Sequence, residues 1–169
     1  MRTTIIISFL VFSLSLQAAI KTGLDVFSSG DFKELRGKKV ALVVNHTSVD
    51  SSGKHIIDLM LDKKINITRI FTPEHGLSGI LEGAVTNSEY KGIPVISLYG
   101  KNRKPDAEEL KKADIIIFDI QDAGARYYTY TATLAYVLET AKIAGKPVIV
   151  LDRPNPAGGE TVSGFDLLS

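Results

Sequence analysis

The chain is 169 residues long, 44% hydrophobic and 23% charged, with 20 Lys+Arg against 19 Asp+Glu and a formal net charge of +1. That profile is the one expected of a globular domain with its own core; it excludes a disordered chain, a coiled coil and a multi-span membrane protein, and it carries no electrostatic footprint for nucleic acid or an anionic membrane. Cysteine is absent, so disulfides, thiolate nucleophiles, Cys-ligated metals and a lipid-modified N-terminal cysteine are excluded.

The chain opens on MRTTIIISFLVFSLSLQAA. One early positive charge at Arg2, an apolar run from Ile5 to Leu16 and a close on Ala18 and Ala19 read as a secretory signal peptide over residues 1–19. The alternative is an uncleaved N-terminal anchor, but a run of about a dozen residues falls short of the roughly 20 that a membrane span needs. Cleavage removes Arg2 and leaves 19 basic against 19 acidic side chains, a neutral chain with no stable membrane span. Export without cysteine fits a bacterial periplasm or exterior.

Five short Val/Ile-rich runs follow, at Val40–Val44, Ile67–Phe71, Val95–Leu98, Ile115–Asp119 and Val148–Leu151. Their continuous rather than alternating hydrophobicity predicts strands buried on both faces. Between them, Lys54–Lys64 has Ile56, Ile57, Met60 and Leu61 at helical spacing. A short helix starts near Pro105 and runs to Lys112. Thr129–Ala144 places Leu134, Val137, Leu138 and Ala141 on one face and stops at Gly145. The stretch between Leu77 and Pro94 reads as a long loop. Alternating strands and helices predict an α/β fold, a Rossmann-like, doubly wound and mostly parallel sheet of about five or more strands.

In such sheets the ligand crevice lies beyond the carboxyl ends of the strands. Those ends are Asn45-His46-Thr47, Thr72-Pro73-Glu74-His75-Gly76, Tyr99-Gly100, Gln121-Asp122 and Asp152-Arg153-Pro154-Asn155. Polar and ionisable residues therefore gather along one edge. No Gly-rich phosphate loop is present, so no nucleotide cofactor is expected. Glu74 and His75 sit in a TPEHG turn bracketed by Pro73 and Gly76. A carboxylate partly withdrawn from water there suits a general acid; the plainer alternative is that it caps a following helix or loop, with His75 packing beside it. Asp119 ends a strand, as catalytic acids often do, while Asp122 could cap the next helix and Arg126 could pair with Asp119. Tyr127, Tyr128 and Tyr130 form an aromatic cluster that could stack on a sugar or fill core, with Tyr127 and Tyr130 on one helix face at i, i+3 spacing. Arg153 and Asn155 lie in a rigid proline-flanked turn suited to a carboxylate or sugar hydroxyls. The Gly100–Lys104 stretch reads as solvated surface. The three histidines, His46, His55 and His75, have no metal-binding spacing, and a magnesium site from Asp119, Asp122 and Asp152 is nonspecific.

In order along the chain, TGLDVF, GKKVALVVNHTSVD, FTPEHGLSG, IPVISLYGKNRKP, IIIFDIQDAGARYYTYTATLAYVLE and VIVLDRPNPAGG resemble the DUF1343 family of NamZ-like exo-β-N-acetylmuramidases. The resemblance runs from Thr22 to Gly164. It implies a glycoside hydrolase, needing no cofactor or metal, that releases N-acetylmuramic acid from the non-reducing end of peptidoglycan fragments. It also implies a Rossmann-like domain over residues 20–164, joined to a smaller domain of which residues 165–169 are the start. That second wall of the cleft is missing here, or is carried by a separate partner chain. Glu74 then becomes the catalytic acid, with His75 and Asp119 beside it. Asn45, Gln121, Asp122, Arg126, Tyr127, Tyr130, Arg153 and Asn155 become the sugar pocket, with Arg126 or Arg153 on the lactyl carboxylate. Two rival readings are a non-catalytic muropeptide-binding module and an Asp/Mg-dependent hydrolase on the same scaffold.

Overall fold

The computed structural model describes residues 20–78, 88–100 and 102–164. The signal-peptide reading of residues 1–19 and the second-domain reading of 165–169 both lie outside the described residues. All five Val/Ile-rich runs are strands: β1 (Lys39–Val44), β2 (Asn66–Thr72), β4 (Ile93–Ser97), β5 (Ile115–Asp119) and β6 (Val148–Val150). A sixth, β3 (Ser88–Tyr90), lies in the stretch read as loop and pairs antiparallel with β4. The order is β3-β4-β2-β1-β5-β6, and every neighbouring pair but β3–β4 is parallel. Three strands run out on one side of β1 and two on the other, so the winding reverses at β1. The ligand crevice of such a sheet opens where that reversal parts the strand ends, between β1 and β5.

Pleat alternation explains why the runs are continuous. Val40, Leu42 and Val44 face a core shared with α1 (Gly23–Ser29), the 3-10 turn Lys33–Leu35 and α2 (Ile56–Asp62), through Leu24, Leu35, Ile57 and Met60. Ala41 and Val43 face the opposite core, built with Leu110 of α3 (Ala107–Lys111) and Val137 and Ala141 of α4 (Tyr130–Ala144). Each of the Val, Leu, Ile and Met side chains among them, fully withdrawn from water, contributes about 1.5–3 kcal/mol.

The helix α1 and the 3-10 turn carried no clear periodic signal. The helix is held by a capping box: Asp25 N–H donates to Thr22 Oγ1 at 3.2 Å, and Thr22 N–H donates to the Asp25 carboxylate at 2.9 Å. It docks by its first residue. A Cβ on Gly23 would lie 2.5 Å from Asp152 N, so only glycine lets α1 approach the exit of β6 this closely. The buried face of α4 is rotated from the expected one: Leu138 is 46% exposed, whereas Thr133 and Thr140 are buried. Their hydroxyls bond back to the carbonyls of Thr129 and Tyr136, which removes the cost of burying them. Among the described residues no helix is long and apolar enough to cross a membrane.

Candidate active site

The segments after β1 and β5 are stitched across the point where the winding reverses. Asn45 Oδ1 accepts from Thr47 N–H at 2.9 Å and from the Thr47 hydroxyl at 2.6 Å. Thr47 Oγ1 in turn accepts from Gln121 N–H at 2.9 Å. Ser48 Oγ accepts from Asn45 N–H and donates to the Asp119 carbonyl. From below, His55 caps α2, its Nδ1 accepting from Ile57 N–H. Its Nε2 then carries the proton and donates to the Asn45 carbonyl at 2.9 Å. The Gln121 amide nitrogen donates to the carbonyls of Asp122 and Pro154, tying the exits of β5 and β6 together.

Glu74 follows β2 in a tight turn closed by Gly76 N–H on the Pro73 carbonyl. His75 occupies the third position with φ +70°, in the left-handed region that the turn requires there, and Pro73 fixes the backbone at its start. The turn is therefore stiff, and it holds Glu74, half-buried, at the mouth of the crevice. The Tyr99 hydroxyl bonds to the Glu74 carboxylate, and that bond, reinforced by the negative charge, pushes the phenol up.

Glu74, His75, Gln121, Asp122, Tyr127 and Tyr130 line one cavity of about 600 Å³, together with His46, Thr47, Tyr128 and Thr129. Tyr127 and Tyr128 precede α4 rather than sharing its face with Tyr130. Their rings stack loosely, with centroids 5.5 Å apart and Tyr128 6.2 Å from Tyr130. Tyr127 is 83% exposed, a rim residue and not core. Asn45 is buried beneath the cavity beside the Tyr130 hydroxyl; burial pushes that phenol up, and the Asn45 amide partly offsets the shift.

Other expected members stand elsewhere. Asp119 is fully buried, and Arg153, not Arg126, is its partner: Nε and Nη2 reach its two carboxylate oxygens at 2.5 and 2.9 Å. Burial pushes the Asp119 carboxyl up, an effect that Arg153 partly offsets. Neither side chain lines the Glu74 cavity, because each is spent on the other. Arg126 and Asn155 line a separate depression beside Gly124. Asp122 does not cap α4; its Oδ1 accepts from Gly124 N–H within its own loop. Sequence reasoning passed over Arg103, which shares a second cavity of about 340 Å³ with Glu74 and Tyr99. Its signal was position, just beyond the carboxyl end of a buried strand.

Among the described residues, three buried side-chain atoms lack a hydrogen bond of full geometry: Asn45 Nδ2, Thr72 Oγ1 and Asp122 Oδ2. All three sit where β1, β2 and β5 give out. Orphaned buried polar groups are rare and cost about 1–3 kcal/mol each. Of the three, Asp122 lines the Glu74 cavity, where a polar ligand can reach its open oxygen. Among the described residues no three His, Asp or Glu side chains come together as a metal centre would need.

Residues 40–168 match the family described as exo-β-N-acetylmuramidase NamZ, N-terminal. Over 150 residues the chain is 43% identical to the peptidoglycan β-N-acetylmuramidase NamZ of Bacillus subtilis (strain 168), covering 86% of this chain and 36% of that protein. A crystal structure of a DUF1343 family protein from Bacteroides fragilis NCTC 9343 superposes with a TM-score of 0.77 at 43% identity, over 84% of this chain and 36% of that one. A second from the same organism gives 0.69 at 34% identity, over 82% and 36%. The chain thus spans little more than a third of the length of these relatives.

Proposed function

The chain belongs to the NamZ exo-β-N-acetylmuramidase family, a family of peptidoglycan glycosidases, and from that premise we propose that it carries the acid-bearing wall of a glycoside hydrolase. Its substrate is a peptidoglycan fragment, and the sugar released is the N-acetylmuramic acid at the non-reducing end, the rest of the fragment being the leaving group. A second domain, such as the remaining length of the relatives would supply, forms the other wall. The work is done in the periplasm or outside the cell.

The observation that carries this reading is Glu74: a carboxyl on a stiff turn, bonded to the Tyr99 hydroxyl, at the mouth of a crevice rimmed by tyrosines. A general acid must stand within hydrogen-bond reach of the oxygen it protonates and must not wander. As the glycosidic bond breaks, Glu74 gives its proton to the leaving oxygen and positive charge develops at the anomeric carbon. A second group must meet that charge or activate water. Asp119 is taken by Arg153, which leaves Asp122, with one carboxylate oxygen unpartnered, or the acetamido oxygen of the substrate itself.

Release of p-nitrophenol from p-nitrophenyl N-acetylmuramide tests the reading, with the chain joined to the C-terminal remainder that its relatives carry. Glu74→Gln lowers kcat by about 10²–10⁴-fold. Turnover that survives the substitution sinks the assignment. Binding without turnover in the parent protein would favour a non-catalytic muropeptide module instead.

A further inference from the structure

Two cavities meet at Glu74. The larger, about 600 Å³, is the tyrosine-rimmed one; the smaller, about 340 Å³, is lined by Leu98, Tyr99, Arg103, Thr133 and Tyr136. Glu74 and Thr129 belong to both. A glycosidic bond presented to Glu74 therefore has one sugar on each side, in two chemically different spaces. The larger space already holds a second carboxylate, Asp122. The smaller holds a guanidinium: Arg103 stands near enough to Tyr99 for its charge to act on that phenol. Its neighbour Lys104 is committed elsewhere, to Glu139 at 2.7 Å and to the Tyr136 ring at 5.0 Å. Among the described residues no carboxylate forms a salt bridge with Arg103.

Resting on the reading of Glu74 as the acid, we infer that the smaller cavity is the subsite for the sugar being released, and that Arg103 recognises its lactyl carboxylate. A carboxylate gains charge-assisted, bidentate hydrogen bonds from a planar guanidinium. On the other side it would meet the repulsion of Asp122, and with the ring held away from Asp122 the group that meets the charge at the anomeric carbon is the sugar's own acetamido oxygen. The neutral sugar on the far side of the bond carries no such group and rests against Tyr127, Tyr128 and Tyr130. The inference replaces Arg126 and Arg153, the two cations that the sequence suggested for this role: one lines a different depression and the other is bound to Asp119.

Isothermal titration of the chain with N-acetylmuramic acid and with its lactyl methyl ester tests this directly. The two probes differ by the carboxylate charge and one methyl group. The parent protein binds the acid about 10- to 100-fold more tightly than the ester, the range for hydrogen bonds to a charged partner. Arg103→Gln abolishes that preference and leaves ester affinity within about twofold; Arg103→Lys keeps part of it, as a point charge without the fork would. A preference that persists in Arg103→Gln, the lack of one in the parent, or failure of both probes to bind overturns the inference. Equal loss of both probes in Arg103→Gln does so too. The outcome is separable from that of the parent reading: Glu74-dependent turnover with an unchanged acid preference in Arg103→Gln removes only the subsite. Turnover that does not need Glu74 removes the acid assignment on its own.

Discussion

Asp119 and Arg153 are the most deeply buried ion pair of the molecule's described part, with side chains 0% and 6% exposed. Such a pair is weak evidence of stability, because two charges withdrawn from water cost nearly what their attraction returns. Breaking it is another matter. Asp119→Asn strands a buried guanidinium and should cost about 3–5 kcal/mol in urea unfolding, whereas the paired replacement Asp119→Leu with Arg153→Met should come out near neutral. Equal losses in the two proteins would show that burial and packing, not pairing, hold this corner. The pair also shows where single residues were legible in the sequence and where they were not. Asp119 at a strand end looked catalytic because one-dimensional position marks the edge of the sheet. It cannot say which side chains at that edge turn inward, and 34 residues separate Asp119 from the arginine that claims it. Glu74 stands at the crevice where its strand-end position puts it, in a turn that Pro73 and Gly76, close by in sequence, shape locally.

At the scale of elements the parallel strands were readable, since burial on both faces leaves unbroken Val/Ile runs. The helix α1 was not: its stability comes from caps and a distant anchor rather than from an apolar stripe. Asp25 is the node. It closes the capping box with Thr22, and its other oxygen accepts from Ser51 N–H at 2.8 Å, tying α1 to the loop before α2. Those backbone donors, Ser51 first and then Thr22, hold the carboxyl down at about 2, against an ordinary 3.8. A depressed carboxyl stabilises the fold above its unfolded value and releases that stability as pH falls from about 3.8 through about 2. Discounted for solvent screening, the contribution is about 1 kcal/mol. Acid titration of stability should therefore show a limb in that range that Asp25→Ala flattens. A limb of undiminished slope in the variant would place the acid sensitivity elsewhere. The rotated face of α4 has a similar lesson, because Thr133 and Thr140 are polar by composition and apolar in effect once their hydroxyls are returned to the helix.

Taken whole, the described chain is one sheet with two cores, and the crevice at its carboxyl edge is assembled from segments following β1, β2, β4 and β5. Its polar edge, Tyr99 included, was visible in the sequence because it follows from strand direction; the division into two cavities was not, because Arg103 comes to the cavity it shares with Glu74 only through the folding of a loop read as plain surface. A site stitched this way to the sheet should melt with it. Urea unfolding followed by tyrosine emission and by far-ultraviolet dichroism should give coincident transitions, and N-acetylmuramic acid at 100 times its dissociation constant should raise the stability by about 2.7 kcal/mol. Separated transitions would mean that the crevice opens before the sheet does.

The chain has no tryptophan and six tyrosines, of which all but Tyr90 line one or other of the two cavities that meet at Glu74. Its intrinsic fluorescence is therefore almost wholly the fluorescence of the crevice. Tyr127, Tyr128 and Tyr130 report from the rim, and Tyr99 and Tyr136 from the chamber beside Arg103. Occupancy of either space can be followed by light alone, without a label or an added chromophore, and replacing Tyr99 or Tyr127 by phenylalanine tells the two apart.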